Sequence, residues 1–335
     1  KQYIDYYGAK YAMLTTSGSM AIQLALEALD IGLGDEVIVP AMTWIAPITS
    51  VLNVGAKPIL TDVEPYTTCI DAAKIEANIT LHTKAIIVIH LHSNIADMDN
   101  IMSIARSHGL YVIEDCSQAH AGILNGKKVG SIGDIGVFSF NQEKQLTCGE
   151  GGGIITDIDE IYNKVNRLRI DGCGFNSSQK ELYEDQLIYD SICMGRNACI
   201  SEFKTAILMS QLENLDQQTK KRQENAMYLE TLLQECKYIR KMERNKKISQ
   251  IPFYEFTFYI DIQRLDIIDK ICEVTSQKLG FSLHRTDEPV YRNKLFSPQT
   301  RKNYKYYTDS EDYKRLDAKS FEGCEFAYNH MIVFH

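Results

Sequence analysis

Short, strand-like apolar runs alternate with stretches of helical period through the first half of the chain, and this alternation constrains the fold more than any other feature. The runs lie at Glu36 to Val39, Pro58 to Val63, Ala85 to His90, Leu110 to Asp115, Gly136 to Phe140 and Gly152 to Thr156. Helical patterns occupy Met20 to Leu29, Thr43 to Val54 and Met98 to His108. Parallel neighbours cannot be joined by a tight turn, so strands that alternate with helices imply crossover connections. The pattern predicts an α/β core with a mostly parallel sheet covered on both faces. Ligands of such sheets gather beyond the carboxyl ends of the strands, where His90 and Asp115 stand.

The second half reads differently. Gly172 to Arg196 is polar and weakly periodic, longer than an ordinary connection, and is expected to be a functional or interface loop. Ser201 to Cys236 has the period of one long helix, with Ser201 as N-cap and Phe203, Ile207, Leu208 and Leu212 along one side. Beyond it, Phe253 to Ile262 and Met331 to Phe334 read as strands and Leu265 to Leu279 as a helix, a smaller α+β unit. The expected organisation is a large domain at 1–200, a bridging helix at 201–236 and a small domain at 237–335. The chain starts at Lys1 without Met, and Ala327 to His335 is a strand-like run, so a trimmed chain with an incomplete small domain is expected.

Composition removes whole classes of function. With 36 Lys and Arg against 44 Asp and Glu, the formal charge is −8, and no global positive field draws in a phosphate backbone. A nucleic-acid partner is not expected. The longest strongly apolar run, Ala85 to Ile89, is far short of the ~20 residues a membrane helix needs, so no membrane partner is expected either. Nine cysteines without a C-x-x-C pair fit neither a disulfide framework nor a zinc knuckle, and a reducing cytoplasm is the expected compartment.

Three local segments carry chemistry. Thr15-Thr16-Ser17-Gly18-Ser19 leads directly into a helical run, where unpaired amides and the helix dipole favour a phosphate. Val112 to Gln118 (VIEDCSQ) ends an apolar strand on a carboxylate, followed three residues later by an amide. The acid can hold a heteroaromatic nitrogen protonated, and the amide can bond a ring oxygen beside it. Phe138 to Gly153 places Lys144 between a strand and a glycine-rich turn, where desolvation would lower its pKa and prepare it for imine chemistry. Taken singly, each has an ordinary alternative: a serine N-cap, a strand-end cap and a solvated loop lysine.

In their order and spacing these segments resemble the DegT/StrS-type sugar aminotransferases, pyridoxal-phosphate enzymes of the aspartate-aminotransferase fold. The resemblance runs nearly end to end. It includes Gly34 to Pro40 (GDEVIVP), Thr43-Trp44, Asp62-Val63, Ile70-Asp71, Thr83 to Ile86, His90-Leu91, Asp97 to Asp99, the Asp115 to His120 stretch and the Ser139 to Gly152 stretch. It implies fold type I, with a mostly parallel mixed sheet in the large domain and a smaller C-terminal α+β domain. It also implies that Lys144 joins the cofactor as a Schiff base, that Asp115 meets the pyridinium nitrogen and that Gln118 contacts the ring hydroxyl. Trp44 would stack on the ring, while Ser139, Gly18 and Ser19 would hold the phosphate. Asn197 matches an asparagine donated by the neighbouring subunit, which implies a homodimer with shared sites. The catalytic pair is then Lys144 and Asp115, and no metal is implied. Family dehydratases carry histidine in place of this lysine, so Lys144 implies amino transfer.

Leu146 to Glu150, Asn197 to Phe203, Leu283-His284 and Asn293 to Phe296 resemble the glutamine-dependent scyllo-inosose aminotransferases, including Cys199 where most relatives carry arginine. This implies an amino group passing from glutamine or glutamate to a keto-sugar or keto-cyclitol, as in aminoglycoside-type biosynthesis. Two departures accompany it: Ser93 stands where glycine is usual, and Arg285 to Glu288 replaces a proline-rich stretch. Two rival readings are a zinc site drawn from His90, His92, Cys116, His120 and Cys148, which lacks typical ligand spacing, and a catalytically degenerate sensor, against which the intact Lys144, Asp115 and Gln118 argue.

Overall fold

The computed structural model describes residues 1–175, 187–188, 192–294, 316 and 318–334. Its main sheet contains β1 (Tyr11–Thr15), β2 (Glu36–Pro40), β3 (Lys57–Thr61), β4 (Thr83–Ile89), β5 (Tyr111–Asp115), β6 (Ile135–Ser139) and β7 (Gly152–Thr156), in the order β1-β7-β6-β5-β4-β2-β3. The pairs from β3 through β6 are parallel, and β7 alone runs against its neighbours, pairing antiparallel with both β6 and β1. This mixed, mostly parallel sheet is the expected α/β core, with each expected strand within a few residues of its place. Buried Val, Ile and Ala fill both faces in two apolar clusters, as a sheet covered on both sides requires.

Helices α1 (Gln2–Tyr7), α2 (Gly18–Ala28), α3 (Ala46–Asn53), α4 (Met98–His108) and α5 (Asp159–Leu168) accompany this sheet. Helix α3 begins three residues later than its period suggests, because Pro47 fits the first turn and lacks the N–H a helix interior needs. Thr43 and Trp44 are thereby left in the loop that follows β2. Helix α6 (Glu202–Leu233) is capped by Ser201, whose side chain accepts from the Lys204 N–H. Its buried stripe is Leu208, Leu212, Leu215, Thr219 and Ala226. Phe203 and Ile207, expected on that side, instead lie 87% and 50% exposed. The stripe begins one residue round the helix from Ile207.

Past α6, β8 (Ile239–Lys241), β9 (Phe256–Ile260), β10 (His284–Arg285) and β11 (Met331–Phe334) form an antiparallel sheet in the order β8-β9-β11-β10. Helix α7 (Ile268–Leu279) and helix α8 (Glu322–His330) accompany it. The strand-like reading from Ala327 is corrected here: Ala327 to His330 finish α8, and only Met331 onward is strand. Much of the Gly172 to Arg196 loop, together with Leu295, Phe296 and His335, lies outside the described residues.

Asp62, just past β3, ties α8 to the main sheet. It is buried, and its carboxylate accepts from the N–H groups of Gly323 and Cys324, both at 2.9 Å, and from Lys74 Nζ at 2.7 Å. Burial pushes its pKa up, but Lys74 and the two amides outweigh burial and hold it below the usual 3.8. A depressed carboxylate contributes stability that is present above its unfolded pKa and is lost as pH falls through the folded value. Asp62→Asn should therefore cost on the order of 2 kcal/mol near neutral pH and flatten the acid limb of the stability curve below about pH 4. Urea unfolding at several pH values checks this, and parallel curves for the two proteins would contradict it.

Candidate active site

A cavity of about 420 Å³ opens where the carboxyl ends of β4, β5 and β6 meet the start of α2 and one edge of the antiparallel sheet. Gly18, Ser19, Trp44, Asp115, Gln118, Ser139 and Lys144 all line it. Asn197 does not. It lies exposed in an isolated bridge with Ile170, where the Ala198 carbonyl accepts the Thr16 N–H.

One end of the cavity is built for an anion. Ser17 caps α2, its hydroxyl accepting from the Met20 N–H at 3.1 Å, so the capping alternative holds for this residue. Gly18 and Ser19, the next two residues, lie in the cavity wall. A Cβ on Gly18 would sit 2.8 Å from the Ser139 Cβ, so only glycine allows the helix start and the end of β6 to approach this closely. A side chain on Gly152 would likewise collide with the Ser17 carbonyl. The first turn of α2, Ser19 and the Ser139 hydroxyl together form a cradle of neutral donors at the positive end of a helix dipole, which fits a phosphate. His120 holds the Ser139 backbone from behind, donating from Nε2 to its carbonyl at 2.9 Å. Burial pushes the His120 pKa down to about 4, so it is a neutral imidazole at physiological pH.

Asp115 ends β5 with a buried carboxylate that accepts from the Ser117 N–H at 3.0 Å. Burial raises its pKa, while Ser117 and the charge of Lys144 act in the opposite direction. A cationic ring nitrogen beside it would favour the carboxylate further. Gln118 accepts the His92 N–H on Oε1 at 3.0 Å, which leaves the amide nitrogen as the group it offers as donor. Lys144 stands in the turn after β6, where its N–H donates to the Asn141 carbonyl. Desolvation lowers its pKa, opposed by the carboxylates of Asp115, Glu255, Glu143 and Asp287. Its Nζ lies 3.2 Å from the Tyr254 hydroxyl. Trp44 is 65% exposed, so one indole face is available to a ligand.

The fold also assembles groups that no local pattern disclosed. His90 does not face the cavity; its Nε2 donates to Glu114 at 3.0 Å, deep under the strand ends. His92 reaches Glu255 at 2.6 Å through Nδ1 and Thr286 at 2.7 Å through Nε2, in the cavity's far wall. Tyr254, Glu255, His284, Thr286 and Asp287 come from sequence more than a hundred residues beyond Lys144. The apolar context of Glu114 inside strand β5 is one sign in the sequence of a buried charge. The side chains weighed as zinc donors are divided by these contacts. His90 and Cys116 come together with Glu114, but the Glu114 oxygens accept from the N–H groups of Gly130, Ile132 and Gly133 as well as from His90.

The profile of the DegT/DnrJ/EryC1/StrS aminotransferase family matches residues 1–316. The L-glutamine:2-deoxy-scyllo-inosose aminotransferase of Streptoalloteichus tenebrarius is 36% identical over 339 residues, covering 100% of this chain and 79% of the relative. The L-glutamine:scyllo-inosose aminotransferase of Streptomyces griseus is 36% identical over 322 residues, covering 96% and 75%. Among solved structures, an aminotransferase from Psychrobacter cryohalolentis superposes with a TM-score of 0.87 at 29% identity, covering 100% of this chain and 84% of that one. The chain belongs to the DegT/DnrJ/EryC1/StrS family and is a pyridoxal-phosphate-dependent aminotransferase.

Asp115→Asn preserves size and removes the charge. It should slow single-turnover amino transfer about a hundredfold, the scale of one lost electrostatic group, while the protein retains its cofactor through gel filtration. Near-normal rates in stopped flow would make Asp115 a strand-end group only.

Proposed function

We propose that this enzyme moves an amino group from glutamine or glutamate to the ring ketone of a cyclitol or sugar, with Lys144 and Asp115 as its catalytic residues. The observation that carries the reading is one cavity holding a desolvated lysine, a buried strand-end carboxylate and a helix-start anion cradle. The residues present fit pyridoxal phosphate. The first turn of α2, Ser19 and Ser139 would hold its phosphate, Asp115 its ring nitrogen, Gln118 its ring hydroxyl, Trp44 its ring face and Lys144 its carbonyl carbon. When bound, the cofactor supplies an electron sink and a carbonyl that carries the amino group.

The chain's own groups perform the rest. Asp115 keeps a proton on the ring nitrogen by presenting negative charge in a site where water cannot screen it. The Lys144 amine, with a pKa lowered by burial, would take a proton from the substrate carbon as a general base and give it back as a general acid. Gly18 and the Ser139 hydroxyl anchor the far end, so that the reacting atoms are held near the Lys144 amine.

The walls favour a polyhydroxylated ring. His92, Glu255, His284, Thr286 and Asp287 provide polar groups, and among the described residues lining the cavity none is arginine. Ring hydroxyls would pair with these groups, which are costly to leave unpaired. The glutamine-dependent relatives point to the same donor and acceptor classes. Ring ketones should therefore reoxidise the aminated enzyme faster than pyruvate at equal concentration, and glutamine should aminate it at least as fast as alanine. Absorbance-monitored half-reactions test both. Exclusive turnover of aspartate with 2-oxoglutarate would contradict the acceptor, and no amino transfer to any ketone would favour the sensor reading.

The proposed unit is a cytoplasmic homodimer, in which Asn197 of each protomer enters the partner's cavity. Asn197 lies outside its own chain's cavity, and nearby in sequence Met194 is 91% exposed, as is much of Phe203. Among the described residues, no helix is long and apolar enough to cross a membrane. Mixing inactive Lys144→Ala and Asn197→Ala chains should restore activity, because a hybrid places both defects in one site. No recovery after subunit exchange would contradict sharing.

A further inference from the structure

We propose that Tyr254 is a further active-site residue, which holds the Lys144 amino group over the cavity whenever it is not joined to the cofactor, and that Ser93 is the residue that positions Tyr254. The proposal rests on Lys144 being the reactive amine. Its own content is the contact between elements far apart in the chain: a loop after β4 grips the segment that leads into β9.

Ser93 makes the grip. Its hydroxyl accepts from the N–H groups of Tyr254 at 2.9 Å and Glu255 at 3.0 Å, and donates to the Glu255 carbonyl at 2.6 Å. The residue is buried, and its backbone has φ 61°, directly after His92 at φ 51°. Two successive side-chain-bearing residues in the left-handed region are unfavourable where glycine would be relaxed. Three hydrogen bonds from one hydroxyl compensate for this and require a serine-like group. His92 adds a second hold, bonding Glu255 Oε1 through Nδ1 and Thr286 through Nε2. Tyr254 is thus fixed through its own amide and through its neighbour.

The phenol is presented directly to Lys144. Nζ lies 3.2 Å from the hydroxyl and 4.3 Å from the ring centroid. Burial holds the phenol well above its usual pKa, so it remains a neutral acceptor for the ammonium. A lysine stem released from a covalent link has four rotatable bonds and would otherwise disperse toward solvent. Asp115, Glu143, Glu255 and Asp287 also act on the Lys144 charge. His92, His284 and Glu150 complete the titratable groups lining the cavity, and all of these stay in place in the variants below.

The test uses full-length protein loaded with pyridoxamine 5′-phosphate, which leaves Lys144 unjoined. Reductive methylation with formaldehyde and cyanoborohydride across a pH series, read by peptide mass spectrometry, gives the pH at which Lys144 is half-reactive. Tyr254→Phe keeps the ring and removes the acceptor of an N–H from a charged group, so the midpoint should fall by about one pH unit. Ser93→Gly relaxes the backbone and removes all three bonds, and should produce at least half that fall. In the donor half-reaction both variants should lower kcat more than they raise KM. An unchanged midpoint in Tyr254→Phe overturns the role of Tyr254. A fall in Tyr254→Phe with none in Ser93→Gly overturns the role of Ser93. If borohydride traps the cofactor on another lysine, it is the assignment of Lys144 that fails, a result distinct from either.

Discussion

Glu114 has no exposure to water, yet its carboxylate joins the strand ends on which the active site stands. It accepts from Gly130, Ile132 and Gly133 N–H groups at 2.9, 2.7 and 2.6 Å, which fixes the approach to β6. It also accepts from His90 Nε2. His90 in turn receives the Ala96 N–H on Nδ1, which sets its tautomer and fixes the loop after β4. An uncompensated buried carboxylate costs several kcal/mol, and these four donors compensate this one. The three strands tied together deliver His92, Asp115 and Ser139 to one cavity. Positioning of the chemistry therefore depends on an interaction that takes no part in it.

Charge in the cavity is sharply divided. The end formed by the α2 start offers neutral donors, whereas carboxylates surround Lys144 and oppose the lowering of its pKa that burial produces. Asp115 experiences the converse, with burial raising its pKa and Lys144 pulling it down. Each group's environment thus limits how far the other departs from its ordinary value. A positive ring nitrogen beside Asp115 would favour its carboxylate, the same direction in which the charge of Lys144 acts on it. The site's electrostatics are complete only with the cofactor's own charges included.

The parallel core was legible because its signal is local: Ala85 to Ile89 and Val37 to Val39 are apolar runs bounded by polar or turn residues, and burial on both faces makes such runs continuous. Lys144, Asp115, Gln118 and Gly18 were legible in three local segments at strand ends and a helix start, and Ser139 through the family resemblance; all five line the cavity. Tyr254, Glu255 and Thr286 were not, because they reach the cavity from a different sheet and no short-range pattern marks them. His90 shows the limit of the strand-end rule: the residue after β4 turns inward to Glu114, and His92, two positions on, faces the cavity. Phe203 and Ile207 show another limit. Helical period alone does not tell an apolar face packed within the chain from one left at its surface.

The central claim is that Lys144 carries the cofactor. Borohydride reduction of the cofactor-loaded enzyme, followed by proteolysis and peptide mass mapping, tests it most directly. The account predicts one pyridoxyl group per chain, on Lys144, and none when an amino donor has first released the lysine. A pyridoxyl adduct on any other lysine, or reduction that leaves Lys144 unmodified, would contradict it.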